Sequence, residues 1–153
     1  MLLAACLFSS ILTSQPVTDY KVEGIRVKLY YESLAKFSRD VLANPPMVLF
    51  NVVIGAGDAE APSDSFLIEV DVSGPKKQHL APSSRKLTIT VTQGKKTLAK
   101  RTSFFPLMED NGRLSMPLMV YSMPSDPVRI TATISGQKKP SSRSVVVPFH
   151  GGE

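Results

Sequence analysis

Residues 86–104 read KLTITVTQGKKTLAKRTSF, and the fold class turns on this stretch. Leu87, Ile89 and Val91 alternate with Thr88, Thr90 and Thr92. A period of two puts the three aliphatic side chains on one face of a strand and the three hydroxyls on the other. Threonine is branched at Cβ and suits a pleated surface with one wet side. Gln93-Gly94-Lys95 then reads as a tight turn, since glycine reaches the positive φ that a two-residue hairpin loop needs. Lys96–Phe104 returns as the second strand. The stretch is a β-hairpin with one buried face.

Working outward, the same periodicity recurs on both sides. Ile25, Val27, Leu29 and Tyr31 alternate with Arg26, Lys28 and Tyr30, which makes a half-buried strand from Gly24. Phe66, Ile68, Val70 and Val72 alternate with Leu67, Glu69, Asp71 and Ser73. Met47–Ile54 (MVLFNVVI) is a continuous apolar run after Pro45-Pro46 and reads as a central strand covered on both faces. Arg113–Tyr121, after the turn signal Glu109-Asp110-Asn111-Gly112, Val128–Ile134 and Arg143–Val147 complete the set. Only Ser33–Ala43 departs from it. Leu34, Phe37 and Val41 stand at helical spacing and Asn44-Pro45-Pro46 would stop a helix, so a short helix or helical turn is expected there.

Seven to eight short strands with frequent turns predict an all-β chain, an antiparallel β-sandwich similar in architecture to immunoglobulin-like folds. The Cys–Trp–Cys core pin of antibody domains is excluded, because the chain has no Trp and one cysteine. The breaks at 74–85 and 136–142 are of loop length, so residues 16–153 are expected to form a single domain.

Residues 1–15 read as an export segment. Met1–Leu12 (MLLAACLFSSIL) has the length of a signal-peptide apolar region and is too short to cross a bilayer as a helix. Thr13, Ser14, Gln15 and Pro16 follow, with cleavage expected near Ser14. No Lys or Arg precedes the apolar run and no A-x-A site closes it. Leu3-Ala4-Ala5-Cys6 resembles the bacterial lipobox, which implies lipidation of Cys6 and membrane anchoring through it. The competing reading makes residues 1–14 a buried strand or helix of the domain.

A net charge of +5 favours anionic partners, although it also serves solubility alone. The candidate binding residues lie in loops. Gly55–Ser65 (GAGDAEAPSDS) gathers Asp58, Glu60 and Asp64, whose oxygens suit calcium chemically, although the spacing is not that of an EF-hand. Basic pairs recur at turns, Lys76 with Lys77 and Lys95 with Lys96 foremost, followed by Lys100-Arg101 and Lys138-Lys139. Aromatic residues are not interleaved with them, so nucleic acid is not expected. Met108, Met116, Met119 and Met123 lie near Phe104, Phe105, Leu107 and Leu118 and read as core filling rather than a copper site. His79 and His150 are isolated in sequence, and no G-x-S-x-G, H-E-x-x-H or P-loop pattern occurs.

These observations predict an exported, non-enzymatic binding or structural module of the envelope or extracellular space, needing no cofactor or metal. Its partner would be an anionic envelope polymer or another protein; the alternative is a small hydrolase with dispersed catalytic residues. Intact-mass and N-terminal analysis of the protein from its native host tests the export reading. A mature chain beginning near Gln15 is expected. A chain beginning at Cys6 with added lipid mass selects the anchored form, and cytoplasmic protein retaining Met1 overturns export.

Overall fold

The computed structural model describes residues 19–49, 57–77, 80–81, 84–122 and 124–149. Residues 1–15, expected to be an export segment and including Cys6, lie outside them, as do both histidines and Met123. The described residues form eight strands: β1 Lys21–Tyr31, β2 Lys36–Phe37, β3 Ser65–Ser73, β4 Lys86–Gln93, β5 Lys96–Phe104, β6 Arg113–Val120, β7 Val128–Ser135 and β8 Ser141–Val147. One turn of 3-10 helix, Glu32–Leu34, follows β1. Strands β2-β1-β3-β6 make one sheet and β5-β4-β7-β8 the other, and all hydrogen-bonded neighbours run antiparallel. The two sheets pack face to face as an all-β sandwich. With β1, β3 and β6 in the places of strands A, B and E, and β5, β4, β7 and β8 in those of C′, C, F and G, the order is immunoglobulin-like.

The TITVT alternation behaves as its period requires. Leu87, Ile89 and Val91 are buried, while Thr88, Thr90 and Thr92 are half-buried on the outer face. Register Gln93↔Lys96 leaves Gly94-Lys95 as the hairpin loop, with Gly94 at φ +55°. From β7, Val128, Ile130, Ala132 and Ile134 face inward, meeting Val27, Leu29, Phe66, Ile68 and Val70 of the other sheet within one core cluster. Burying each of these larger side chains contributes about 1.5–3 kcal/mol. Phe149, just beyond β8, packs on Phe66 with ring centroids 5.5 Å apart.

The two open sides of the sandwich are closed by arginines. Arg101 of β5 donates from Nη1 to the Pro117 carbonyl of β6, and Arg143 of β8 donates from Nη1 to the Glu23 carbonyl of β1. Their guanidinium groups satisfy backbone oxygens of the facing sheet. At one end Tyr20 and Gln137 exchange two hydrogen bonds, Tyr20 N–H to Oε1 and Nε2 to the Tyr20 carbonyl. The Tyr20 ring stacks on Phe105 at 5.1 Å and lies against Gly74, where a Cβ would meet the ring at 2.5 Å. Burial pushes the Tyr20 phenol above its ordinary value, partly opposed by Arg85.

One expectation holds only at its start and another fails. The helical turn expected within Ser33–Ala43 is confined to the 3-10 turn Glu32–Leu34; beyond it the chain lies along β1 and continues the ladder with side chains. Ser38 N–H donates to the Leu29 carbonyl and Val41 N–H to the Val27 carbonyl. In return Leu29 N–H donates to Ser38 Oγ and Val27 N–H to Asp40 Oδ1. Each β1 group on that edge needs a partner once Val27 and Leu29 are buried, and a helix would supply none. Leu34 and Phe37 are accordingly exposed, and only Val41 of the supposed helical face is buried. The run Met47–Ile54 also does not begin as a strand covered on both faces. Met47 and Leu49 are buried, Val48 is 51% exposed, and a single bridge joins Leu49 to Gly57. Residues 50–54 lie outside the described residues.

Asp40 is the test of this edge. Asp40→Ala removes the acceptor for Val27 N–H and for Leu42 N–H, and is expected to cost about 1–3 kcal/mol. Asp40→Asn keeps an acceptor oxygen and is expected to recover most of that loss. Urea denaturation midpoints of the two variants check both outcomes.

Candidate functional site

The outer face of the β5-β4-β7-β8 sheet is a grid whose rows follow from register. Thr102, Thr88, Thr133 and Ser142 form one row; Lys100, Thr90, Thr131 and Ser144 form the next. Thr97, Thr92, Arg129 and Val146 follow at the hairpin end, and Phe104, Lys86 and Ser135 close the opposite end. Columns are about 4.8 Å apart and rows about 6.8 Å. The middle of this face therefore consists of hydroxyl groups. They are held in pairs: Thr88 with Thr102 at 3.0 Å, Thr131 with Ser144 at 2.8 Å, and Thr133 with Ser142 at 2.9 Å. Cross-strand pairs of this kind fix rotamers and leave each oxygen with further bonding capacity.

Charge on the two sheets differs sharply. The four strands of this sheet carry Lys86, Lys96, Lys100, Arg101, Arg129 and Arg143 and no carboxylate. Lys86, Lys100 and Arg129 stand exposed on its outer face, and among the described residues none of the three has a carboxylate within ion-pair distance. The other sheet interleaves acids with its cations. Arg26 grips Asp71 with Nε at 3.0 Å and Nη2 at 2.8 Å. Glu69 Oε2 receives Lys28 Nζ at 2.9 Å and Arg26 Nη1 at 3.4 Å. Arg26 and Lys28 are thus answered by acids of their own sheet, whereas the outer-face cations of the first sheet have no carboxylate partner among the described residues.

The loop residues singled out from sequence are not brought to one place. Lys76 and Lys77 lie in the connection after β3, where Lys77 N–H donates to the Asp110 carbonyl, at the end of the sandwich that carries Lys138 and Lys139. Lys95 and Lys96 lie at the β4–β5 turn, the opposite end, about 24 Å away along an eight-residue strand. Asp58, Glu60 and Asp64 have separate tasks. Asp58 Oδ2 accepts from Val48 N–H at 3.0 Å and from Arg39 Nη2 at 3.4 Å. Glu60 pairs with Lys36 Nζ at 2.5 Å, and its N–H donates to the buried Tyr31 hydroxyl. Asp64 N–H donates to Glu32 Oε2. Among the described residues no three His, Cys, Asp or Glu side chains are grouped to hold a metal. The methionines also divide: Met108 and Met116 are in the core, whereas Met119 is half-buried on the outer face, opposite Leu67. Phe104 and Leu107, read as core neighbours, are 60% and 68% exposed.

A groove of about 480 Å³ runs over the outer face of the other sheet near Glu23, Asp71, Glu109, Arg113 and Ser115. General acid catalysis needs a carboxyl raised toward neutrality. Glu23 moves the other way, lowered first by the Ser73 hydroxyl donating to it and then by Lys21. Both oxygens of Asp71 are engaged by Arg26. Glu23 and Asp71 of this groove are both held by neighbouring donors.

The hydroxyl face was partly readable, since TITVT shows three threonines on one side. Joining them to Thr102, Thr131, Thr133, Ser142 and Ser144 takes the pairing of four strands. No protein-family model matches the chain, and comparison with curated proteins finds no similar sequence.

Glu32 ties the acidic loop to the end of β1, with Ser65 Oγ donating to Oε1 at 2.7 Å. That hydrogen bond lowers the Glu32 carboxyl below its ordinary value of 4.5. A carboxyl lowered by folding stabilises the fold above its unfolded value and loses that contribution as pH falls through the folded value. Glu32→Gln is therefore expected to be less stable than the parent at neutral pH. The gap should close as pH falls below about 4.5, which thermal melts across that range would show.

Proposed function

We propose that this protein is an exported, non-catalytic binding module that holds an anionic polymer of the envelope or extracellular space on the outer face of its β5-β4-β7-β8 sheet. One observation carries the reading: six strand cations with no strand carboxylate, three of them on the outer face around a field of hydroxyls. A patch with unpaired charge of one sign raises the local concentration of the opposite charge and speeds encounter. A flat face rather than a cleft suits a long polymer, which needs many weak contacts and no enclosure. Export enters from the N-terminal apolar segment and remains a separate strand of the proposal.

Polyphosphate is a probe that reports charge alone. The protein is expected to bind it at low ionic strength, weakening as salt screens the exposed cations over a Debye length of about 10 Å at 0.1 M. A triple variant, Lys86→Gln with Lys100→Gln and Arg129→Gln, is expected to weaken binding at least tenfold. A control, Lys21→Gln with Lys36→Gln and Arg113→Gln, removes the same charge from the other sheet and is expected to change binding less than threefold. Equal losses in the two variants, or no binding of polyphosphate by the parent, overturn the proposal.

A further inference from the structure

We infer that the polymer is an acidic polysaccharide, lying flat across β5, β4, β7 and β8 with its acid groups on Lys86, Lys100 and Arg129 and its sugar hydroxyls on the threonine field. The inference rests on the polyanion reading above and names the ligand class for that same face. Its argument comes from the chemistry between the cations rather than from the cations themselves.

A hydroxyl has one donor and two acceptor lone pairs. In the Thr88–Thr102 and Thr131–Ser144 pairs one O–H serves the pair, so each pair keeps a second O–H for a ligand. In the Thr133–Ser142 pair Ser142 also donates to the Ala132 carbonyl, so this pair offers lone pairs only. Thr90 sits centrally between Lys100 and Thr131 in register, and among the described residues its side chain has no hydrogen-bond partner. The face thus presents donors and acceptors side by side, and the pairs hold them in place before any ligand arrives. Sugar hydroxyls are also donors and acceptors at once. Phosphate chains are acceptors only and leave the lone pairs of such a field without donors.

Other anionic partners fit less well. Single-stranded nucleic acid is held by bases stacked on aromatic rings. Phe104 is the one aromatic residue on this face, at its corner, and Lys86 Nζ already lies 5.1 Å from its ring centroid. A membrane surface is entered by an apolar face. Here the exposed apolar side chains are Phe104 and Val146, at opposite corners of the grid, with hydroxyls between them. Charge complementarity selects an acid and the hydroxyl field selects a sugar.

Thr90→Val with Thr131→Val replaces two hydroxyls by methyl groups of similar size on strands that favour β-branched residues, leaving every charge in place. Polygalacturonate and polyphosphate are the two probes, titrated at the same ionic strength, with unfolding curves confirming that the variant is folded. The expected result is a loss of at least tenfold in polygalacturonate binding with less than a twofold change for polyphosphate. Thr90→Ser with Thr131→Ser, which keeps both hydroxyls, is expected to restore polygalacturonate binding. Unchanged polygalacturonate binding by the valine variant overturns the polysaccharide inference while polyphosphate binding leaves the polyanion reading standing. Tighter binding of oligo(dT) or of phosphatidylglycerol vesicles than of polygalacturonate by the parent also overturns it. If the parent binds neither polymer, both readings fall together.

Discussion

Two sheets with no covalent tie between them are held together by the packing of their inner rows, and everything else in this molecule follows from that requirement. The chain has one cysteine, so no disulfide can join β3 to β7 as one joins the sheets of antibody domains. The inner rows are mostly aliphatic and buried, with Tyr20, Tyr31, Phe66 and Phe149 as the large pieces of the core. In a core of this kind an unpartnered polar side chain is costly. The inner half of every strand is thereby committed, and chemical variety is left to the outer rows, the edges and the loops.

The edges show how that commitment spreads. A buried strand such as β1 must satisfy its outward N–H and C=O groups, yet its neighbour β2 pairs with it at only two residues. Ser38 and Asp40 take over, each bringing a side-chain oxygen to a β1 N–H. On the open flanks Arg101 and Arg143 reach across to backbone carbonyls of the facing sheet. Basic residues at sheet edges also deter pairing with other chains. Three of the described polar devices of the fold (a serine–aspartate edge, two arginine bridges and the Tyr20–Gln137 exchange) are answers to the same accounting of backbone groups.

Period-two reading succeeds where a strand has one wet face, which is why 86–93, 66–73 and 25–31 could be read directly. It fails where the chain pairs through side chains. Leu34, Phe37 and Val41 imitate a helical stripe, and nothing local reveals that Ser38 and Asp40 are aimed at Leu29 and Val27. The signal was present as two short polar residues two positions apart, a strand-like spacing hidden among apolar ones. The candidate site was legible only in fragments for a related reason. Thr88, Thr90 and Thr92 are visible as one face of one strand, but Thr131, Thr133, Ser142 and Ser144 join them through pairings between residues up to 45 apart, set by the topology and not by neighbours in sequence. Loop composition drew attention to Asp58, Glu60 and Lys76 instead, and in the folded chain these residues have local structural partners or lie at separate ends.

The contrast between the outer faces is hard to explain by solubility alone. A surface that needs only to be wet is served by interspersed charges of both signs, and the β2-β1-β3-β6 sheet carries that solution, with Arg26 and Lys28 answered by Asp71 and Glu69. The opposite sheet omits every acid from four strands while keeping its cations. Threonine at central strand positions suits β structure whatever the function, so the threonines alone prove little. Their combination with unanswered cations is different. Mutual repulsion among unpaired cations disfavours the folded state slightly, and a single carboxylate at Thr90 or Thr131 would relieve it. In the proposed reading a ligand supplies those carboxylates from outside, which would account for both the missing acids and the hydroxyls that remain between the cations.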